Sequence, residues 1–349
     1  MKGALRQTGY NDLTKLLQPN WVQHISESDK RLAGLSKKQT AGIWAAFSSA
    51  LFLGMAPVFG KLAITQGFTP FAVVALRTGL AAGIMLVVIL LFYRQYLYIF
   101  PVGLIGCALA GVINGLGSLF YYLALQRLDA SVGQLLYSLY PFFVALWLIL
   151  DHQPPSPLTL FRIILATAAV LLLTNVPNHP MDLVGVVMMI GASILYAMHL
   201  PINQRVLYEV PAPTVALYTL LSMSAVVIPA YLIFDRAWPV GTVPWGPVIG
   251  LTFVTVFSRI ALFLGVKKIG GMQTALLGLA ELLIAIFFSK LLLGESFALT
   301  QWLGALGLGL SLILVMYEKP TPPTHSGKTG WLSWIRPPSL PKDVFGPYE

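Results

Sequence analysis

Three ionisable side chains sit inside long apolar stretches of this sequence: Arg77, Arg259 and Glu281. A charge in such a setting costs roughly 2.5–3.5 kcal/mol on membrane-insertion scales, so each must face protein or a water-filled cavity. Arg259 stands eleven residues before Gly270 and Glu281 eleven after it, on two apolar runs joined by a tight turn. At about 1.5 Å rise per residue both should lie roughly 16 Å deep on adjacent antiparallel helices. A salt bridge is within reach, depending on helix rotation. Two roles fit such a pair: glue between helices, or a partly open pair that binds a ligand's charge or exchanges a proton.

Around these charges the sequence offers further polar candidates. Asn114, Gln134 and His199 fall in apolar runs and need hydrogen-bond partners there. His199 has two readings, a proton-coupling group or a hydrogen-bonded structural histidine. Arg77, about a third of the way into its run, either faces a cavity or snorkels to the surface; Lys61, near the end of its run, is expected to snorkel. Tyr121, Tyr122, Tyr137, Tyr140, Tyr196 and Trp147 are aromatics of the kind that line a pathway. Aromatics near span ends commonly anchor at the membrane interface, so only the deeper Tyr137 and Tyr140 are singled out.

The elements that must position these groups follow from composition. Of the 349 residues 57% are hydrophobic and 10% charged, and mean hydropathy is +0.77. Soluble domains carry about 25% charged residues. The apolar stretches run about twenty residues each, long enough to cross a hydrocarbon core as helices, and they lack the alternation of an outer-membrane barrel. Ten spans are expected, near 42–64, 70–93, 99–125, 131–150, 157–175, 182–203, 213–234, 246–267, 271–292 and 299–317. Gly111 and Gly115 form a small-xxx-small pair that predicts close helix packing in the third. Residues 1–40 read as a polar cytoplasmic tail, with a short amphipathic helix or disorder over Asp12–Val22. Residues 319–349 read as a Pro-rich, extended cytoplasmic tail in which Trp331 and Trp334 touch the headgroup region. No cleavable leader is expected ahead of the first span.

The net charge of +9 is sorted by loop, as topology demands and nucleic-acid binding does not. Lysines and arginines gather in the two tails, while the short loops favour the same side only five to four; the tails place both termini in the cytoplasm of a cell inner (plasma) membrane. Cys107 is the one cysteine; it excludes an intrachain disulfide and a cysteine metal cluster, and reads as a buried thiol.

The spans repeat. Tyr122–Pro141 (YLALQRLDASVGQLLYSLYP) aligns with Phe263–Leu282 (FLGVKKIGGMQTALLGLAEL) at a constant offset of 141, and Gly42 and Pro70 align with Gly185 and Pro213 at an offset of 143. The halves are residues 41–176 and 182–318, five spans each. Five is odd, so the second half enters the membrane inverted, a plan that places a site near the midplane between repeats. At the offset of 141, Arg259 corresponds to Ser118 and Glu281 to Tyr140. A site between the halves would then be charged on one side and lined by hydroxyls and aromatics on the other.

Several short motifs carry a resemblance to a known family. Gly60-Lys61-Leu62-Ala63 ends the first span, and Arg77 follows Thr69-Pro70 in the second. The stretch YLALQRLDASVGQLLYSLYPFFVALW comes next, and Glu281 precedes Leu291-Leu292-Leu293-Gly294-Glu295 and Gln301-Trp302-Leu303-Gly304. In this order the chain resembles the drug/metabolite transporter superfamily, in its ten-helix EamA-type branch, over nearly all of 41–318. The resemblance implies an all-α membrane protein of ten transmembrane helices in two inverted five-helix repeats. It also implies transport, as in relatives that export amino acids, other metabolites or drugs. Two positions depart from the family pattern. Asp151-His152-Gln153-Pro154 stands where a Gly-Glu is usual, so only Glu295 keeps that carboxylate. Glu281-Leu282 stands where Glu-Pro is usual, so a proline-induced break is not carried over.

The expected function is secondary transport of a small metabolite or drug-like molecule, by alternating access and in the direction of export. The partners are the small-molecule substrate and the lipid bilayer, with proton coupling a further expectation; no cofactor, no metal and no nucleic acid is expected. The candidate residues are Arg77, Asn114, Ser118, Gln134, Tyr137, Tyr140, His199, Arg259 and Glu281. The rival readings are a non-transporting membrane scaffold or an intramembrane enzyme. No G-x-S-x-G, H-E-x-x-H or P-loop pattern occurs to support catalysis or ATP use.

Overall fold

The computed structural model describes residues 20–173, 182–235, 244–288, 299–314 and 330–335. Everything regular in them is helical: α1 (Asn20–Thr65), α2 (Pro70–Phe92), α3 (Pro101–Arg127), α4 (Ala130–Tyr137), α5 (Tyr140–Leu150), α6 (Pro157–Leu173), α7 (Leu183–Leu207), α8 (Ala212–Phe234), α9 (Gly246–Ile269), α10 (Gly271–Gly278), α11 (Ala280–Phe288) and α12 (Leu299–Ile313), with a short 3₁₀ turn at Arg94–Leu97. Seven helical stretches are long and apolar enough to cross a membrane, and shorter apolar runs at 157–169, 271–284 and 302–311 fall where three further spans are expected. Helix α1 starts at Asn20, so residues 20–40 of the polar tail are helical; most of Asp12–Val22 lies outside the described residues. The apolar part of α1 is Gln39–Thr65. The cations Arg236 and Lys290 and the carboxylate Glu295 lie outside the described residues.

Local chemistry sets several helix starts. Thr69 caps α2 by accepting from Ala72 N at 3.2 Å, with Pro70 in the first turn, where its missing N–H costs nothing. Asp182 caps α7 by accepting from Val184 N and Gly185 N. It also accepts from Arg127 at 2.9 Å, and that bond, more than the amides, holds its carboxyl below the usual carboxylate range. Lys61 does not simply snorkel: its Nζ donates to Leu125 O at 2.9 Å and Leu128 O at 2.8 Å. These carbonyls close the C-terminal turn of α3, where the helix dipole favours a cation.

Several contacts between the repeats come in reciprocal pairs. Helix α3 packs on α8 as α9 packs on α2, α4 meets α11 as α5 meets α10, and α2–α8 and α6–α12 are self-paired. The aligned glycines obey the same rule. A Cβ on Gly42 would lie 2.6 Å from Ile269 and 2.8 Å from Lys268, and one on Gly185 would lie 3.0 Å from Leu128 and 3.1 Å from Arg127. Each repeat thus uses one glycine to seat its first helix against the end of the other's third. Gly111 does pack closely, with Thr219 O 2.6 Å from the place of a Cβ, and Gly115 faces Val226 at 3.1 Å, so the small-residue pair seats α3 on α8.

The fourth span of each repeat, expected to be continuous, is broken in two: α4 and α5 separate at Ser138-Leu139, α10 and α11 at Leu279. In the first repeat Pro141 cannot donate to Tyr137 O, and Ser193 Oγ donates to that carbonyl at 2.9 Å instead. The second repeat has no proline there and breaks all the same. Tyr140 Oη donates to Ala275 O at 2.9 Å, the carbonyl that Leu279 N would otherwise take; Leu279 N turns to Leu276 O at 3.3 Å. A Cβ on Gly278 would overlap that tyrosine hydroxyl, so glycine makes the approach possible. Tyr140→Phe should leave Ala275 O unpaired and cost about 1–3 kcal/mol. Thermal unfolding in detergent measures this, and an unchanged midpoint would show that the tyrosine does not support the break.

Candidate functional site

One face of α3 carries Asn114, Gly117, Ser118 and Tyr121 at helical spacing. These four border a buried cavity together with Leu53 and Ala56 of α1, Arg77 of α2, Tyr122 of α3, Gln134 and Tyr137 of α4, Tyr196 of α7, Arg259 of α9 and Glu281 of α11. The cavity holds about 50 Å³, room for a few waters, so passage of a metabolite requires its walls to separate. Arg77 is 8% exposed, Arg259 5% and Glu281 2%. Both repeats contribute, and all three intramembrane charges face the same space.

Arg77 faces the cavity and does not snorkel. Its guanidinium donates to Ser118 Oγ at 3.3 Å and Thr255 Oγ1 at 3.4 Å, and lies 4.8 Å from the centre of the Tyr122 ring. Its Nε has no partner. Arg259 is held differently. The Asn114 amide is oriented with its oxygen toward the guanidinium and accepts from its two terminal nitrogens at 3.0 and 2.7 Å; the opposite orientation would set donor against donor. His199 Nε2 lies 3.4 Å from the same guanidinium, and its Nδ1 is bonded to Tyr196 O. His199 thus stands as a hydrogen-bonded histidine behind the arginine, outside the lining.

Arg259 and Glu281 share the cavity, yet no ion pair joins them; the ion pairs among the described residues are Arg127–Asp182 and Arg205–Asp151. Helix rotation, which spacing leaves open, turns the guanidinium toward Asn114. Glu281 keeps one carboxyl oxygen, Oε1, without a hydrogen-bond partner. A buried polar atom left this way is uncommon in native folds, and the cavity beside it has room for a hydrogen-bonding partner. Gln134 Oε1 accepts from Tyr121 Oη at 3.1 Å.

The tyrosines form a continuous cluster. Tyr121 lies 5.0 Å from Tyr137, Tyr137 5.2 Å from Tyr196, and Tyr196 4.6 Å from His199, measured between ring centres. Tyr140 joins it 5.0 Å from Tyr196, but its hydroxyl is committed to Ala275 O and it braces the wall without lining the cavity. Tyr121, Tyr122 and Tyr196, set aside in the sequence as interface aromatics, line or edge the site. The helical spacing of Tyr121 from Asn114 and Ser118 was a usable signal; for Tyr196, across the repeat boundary, there was none.

A model of the EamA-like transporter family matches residues 40–175 and 183–317. The chain belongs to that family. The two matched segments, 40–175 and 183–317, make the chain a tandem of two EamA-like repeats. With its apolar helices the EamA-like chain is a multi-pass membrane protein. A solved structure described only as "Crystal structure of protein" resembles it with a TM-score of 0.62 at 15% identity, over 80% of this chain and 97% of that one. At that identity the likeness concerns the fold. No curated protein matches the chain.

Proposed function

We propose that this EamA-like protein is a secondary transporter of a small metabolite or drug-like molecule, working by alternating access with the cavity between the repeats as its binding site. The observation that carries the reading is the convergence of Arg77 from one repeat and Arg259 and Glu281 from the other on one buried space. Charges are expensive there unless they have a task or a partner. The reciprocal contacts of the two repeats suit a carrier whose halves exchange conformations. Export is the direction that the family resemblance favours, and Glu281 is the group best placed for proton exchange. Flux of a metabolite panel in vesicles, with and without an imposed proton gradient, tests the proposal. Saturable flux supports a carrier. Its absence across the panel, with the protein intact, favours the scaffold reading, and hydrolysed products would favour an intramembrane enzyme.

The same reading places the protein in the inner (plasma) membrane with ten spans, inverted repeats and both termini in the cytoplasm, as the lysine and arginine distribution favours. Reporter fusions after residues 40, 180 and 318 should read inside, outside and inside. An inside reading at 180 would remove the five-plus-five scheme.

A further inference from the structure

We propose that the cavity takes its ligand as an anion, an organic carboxylate gripped between Arg77 and Arg259. The inference rests on the cavity being the transport site and adds the charge class of what it carries. Two guanidiniums and one carboxyl border the space. With Glu281 ionised the three sum to a positive charge; with Glu281 protonated the excess is larger. Nothing within ion-pair distance among the described residues offsets it, because neither arginine is paired with an acid. Arg77, 8% exposed, makes only long bonds of 3.3 and 3.4 Å to neutral hydroxyls and leaves Nε without a partner.

A buried cation without a counter-charge is among the costliest arrangements in a fold. An anion entering the space removes that cost, whereas a cation adds to it. The planar fork of a guanidinium matches a carboxylate through two parallel bonds. Tyr121, Tyr137 and Tyr196 border the same space, so a carboxylate on an aromatic or planar body suits it. Glu281, with its free Oε1 in the same space, opposes such a ligand electrostatically. Losing its charge should therefore tighten anion binding.

The test uses the full chain in lipid nanodiscs, with thermal unfolding followed against benzoate, benzylamine and benzyl alcohol at matched ionic strength. Benzoate should raise the midpoint saturably and the other two should not. Arg259→Gln and Arg77→Gln should each weaken benzoate about tenfold or more, and Glu281→Gln should strengthen it by a comparable factor. Arg77→Lys, which keeps the charge and loses the fork, guards against misfolding and should fall between parent and glutamine variant. Stabilisation by benzylamine alone, or by no member of the panel, overturns the assignment. So does weaker benzoate binding in Glu281→Gln, the result expected if the site grips a zwitterion at both ends. Benzoate binding with no flux of any member of the metabolite panel in vesicles would remove the transport reading and leave the anion site standing; benzylamine flux would do the reverse.

Discussion

Glu281→Gln should give a folded yield close to that of the parent while gradient-driven flux falls about tenfold or more. Arg259→Gln should lower both. The difference follows from what each group touches. Glu281 is 2% exposed with Oε1 unpartnered, and it makes no ion pair among the described residues. An amide of the same shape removes a charge and a proton site, and it can still hydrogen-bond to Gln134, the side chain that Glu281 meets. Arg259 is bonded twice to Asn114 and once to His199. Its loss leaves the Asn114 carbonyl and the histidine buried without their donor, at about 1–3 kcal/mol. The double variant decides between this and a simple salt bridge. Paired charges would let Glu281→Gln, Arg259→Gln regain the yield that Arg259→Gln alone loses, since removing both partners of a buried pair is far milder than removing one. Separately held charges predict no recovery. Yield is read by fluorescence-detected size exclusion and flux in vesicles prepared at equal protein levels. A double variant with parental yield would show that the two residues pair in another conformation and would undo the present assignment.

That Arg259 and Glu281 could border one space was legible in the sequence because rise per residue in a helix is fixed, and the turn at Gly270 gave a common origin. Their relation to one another was not. Rotation about a helix axis is set by packing against neighbours, and here Asn114, on the opposite repeat, captures the guanidinium. The two repeats were visible because glycines and prolines sit where backbone approach or helix entry demands them. Gly42 and Gly185 have the same job against Ile269 and Leu128.

The break in the second repeat was not visible, because its usual signal, a proline, is missing. It depends on the Tyr140 hydroxyl from the other repeat and on the absence of a side chain at Gly278. Such a long-range substitution for a local breaker leaves no local pattern to read. Seven of the expected spans were easy to read for a simpler reason: lipid demands that every backbone group be bonded within the helix, so length and apolarity mark them.

Asp151→Ala should destabilise the protein by about 3–5 kcal/mol, the usual consequence of removing one partner from a buried ion pair. The sequence places Asp151 where the family pattern has a Gly-Glu. The aspartate has buried partners of its own. Asp151 Oδ2 accepts from Arg205 at 2.6 Å, with the two side chains 1% and 9% exposed, and from Gln153 Nε2 at 3.0 Å. Its other oxygen accepts from the backbone of Leu332 at 3.1 Å. The carboxylate therefore joins three parts of the chain: the end of α5, the end of α7, and residues 330–335.

Those six residues were expected to be extended and mobile, with Trp331 and Trp334 at the lipid headgroups. Instead Trp331 packs 5.7 Å from Trp147 and donates to its carbonyl at 3.2 Å. Leu332 is fully buried and Ile335 is 3% exposed, while Trp334 is 48% exposed. Two further variants separate the parts of the effect. In Asp151→Asn the amide oxygen can still accept from Leu332 N, so the tail contact should survive while the ion pair is lost. Adding Arg205→Met to Asp151→Ala removes the cation of the pair as well, and should recover part of the stability, as apolar replacement of buried pairs often does. Thermal unfolding of the purified protein in one detergent gives the comparison, with limited proteolysis reporting on residues 330–335. If Asp151→Ala unfolds at the parental midpoint and its C-terminal segment stays protected, the carboxylate is not what ties these three parts together.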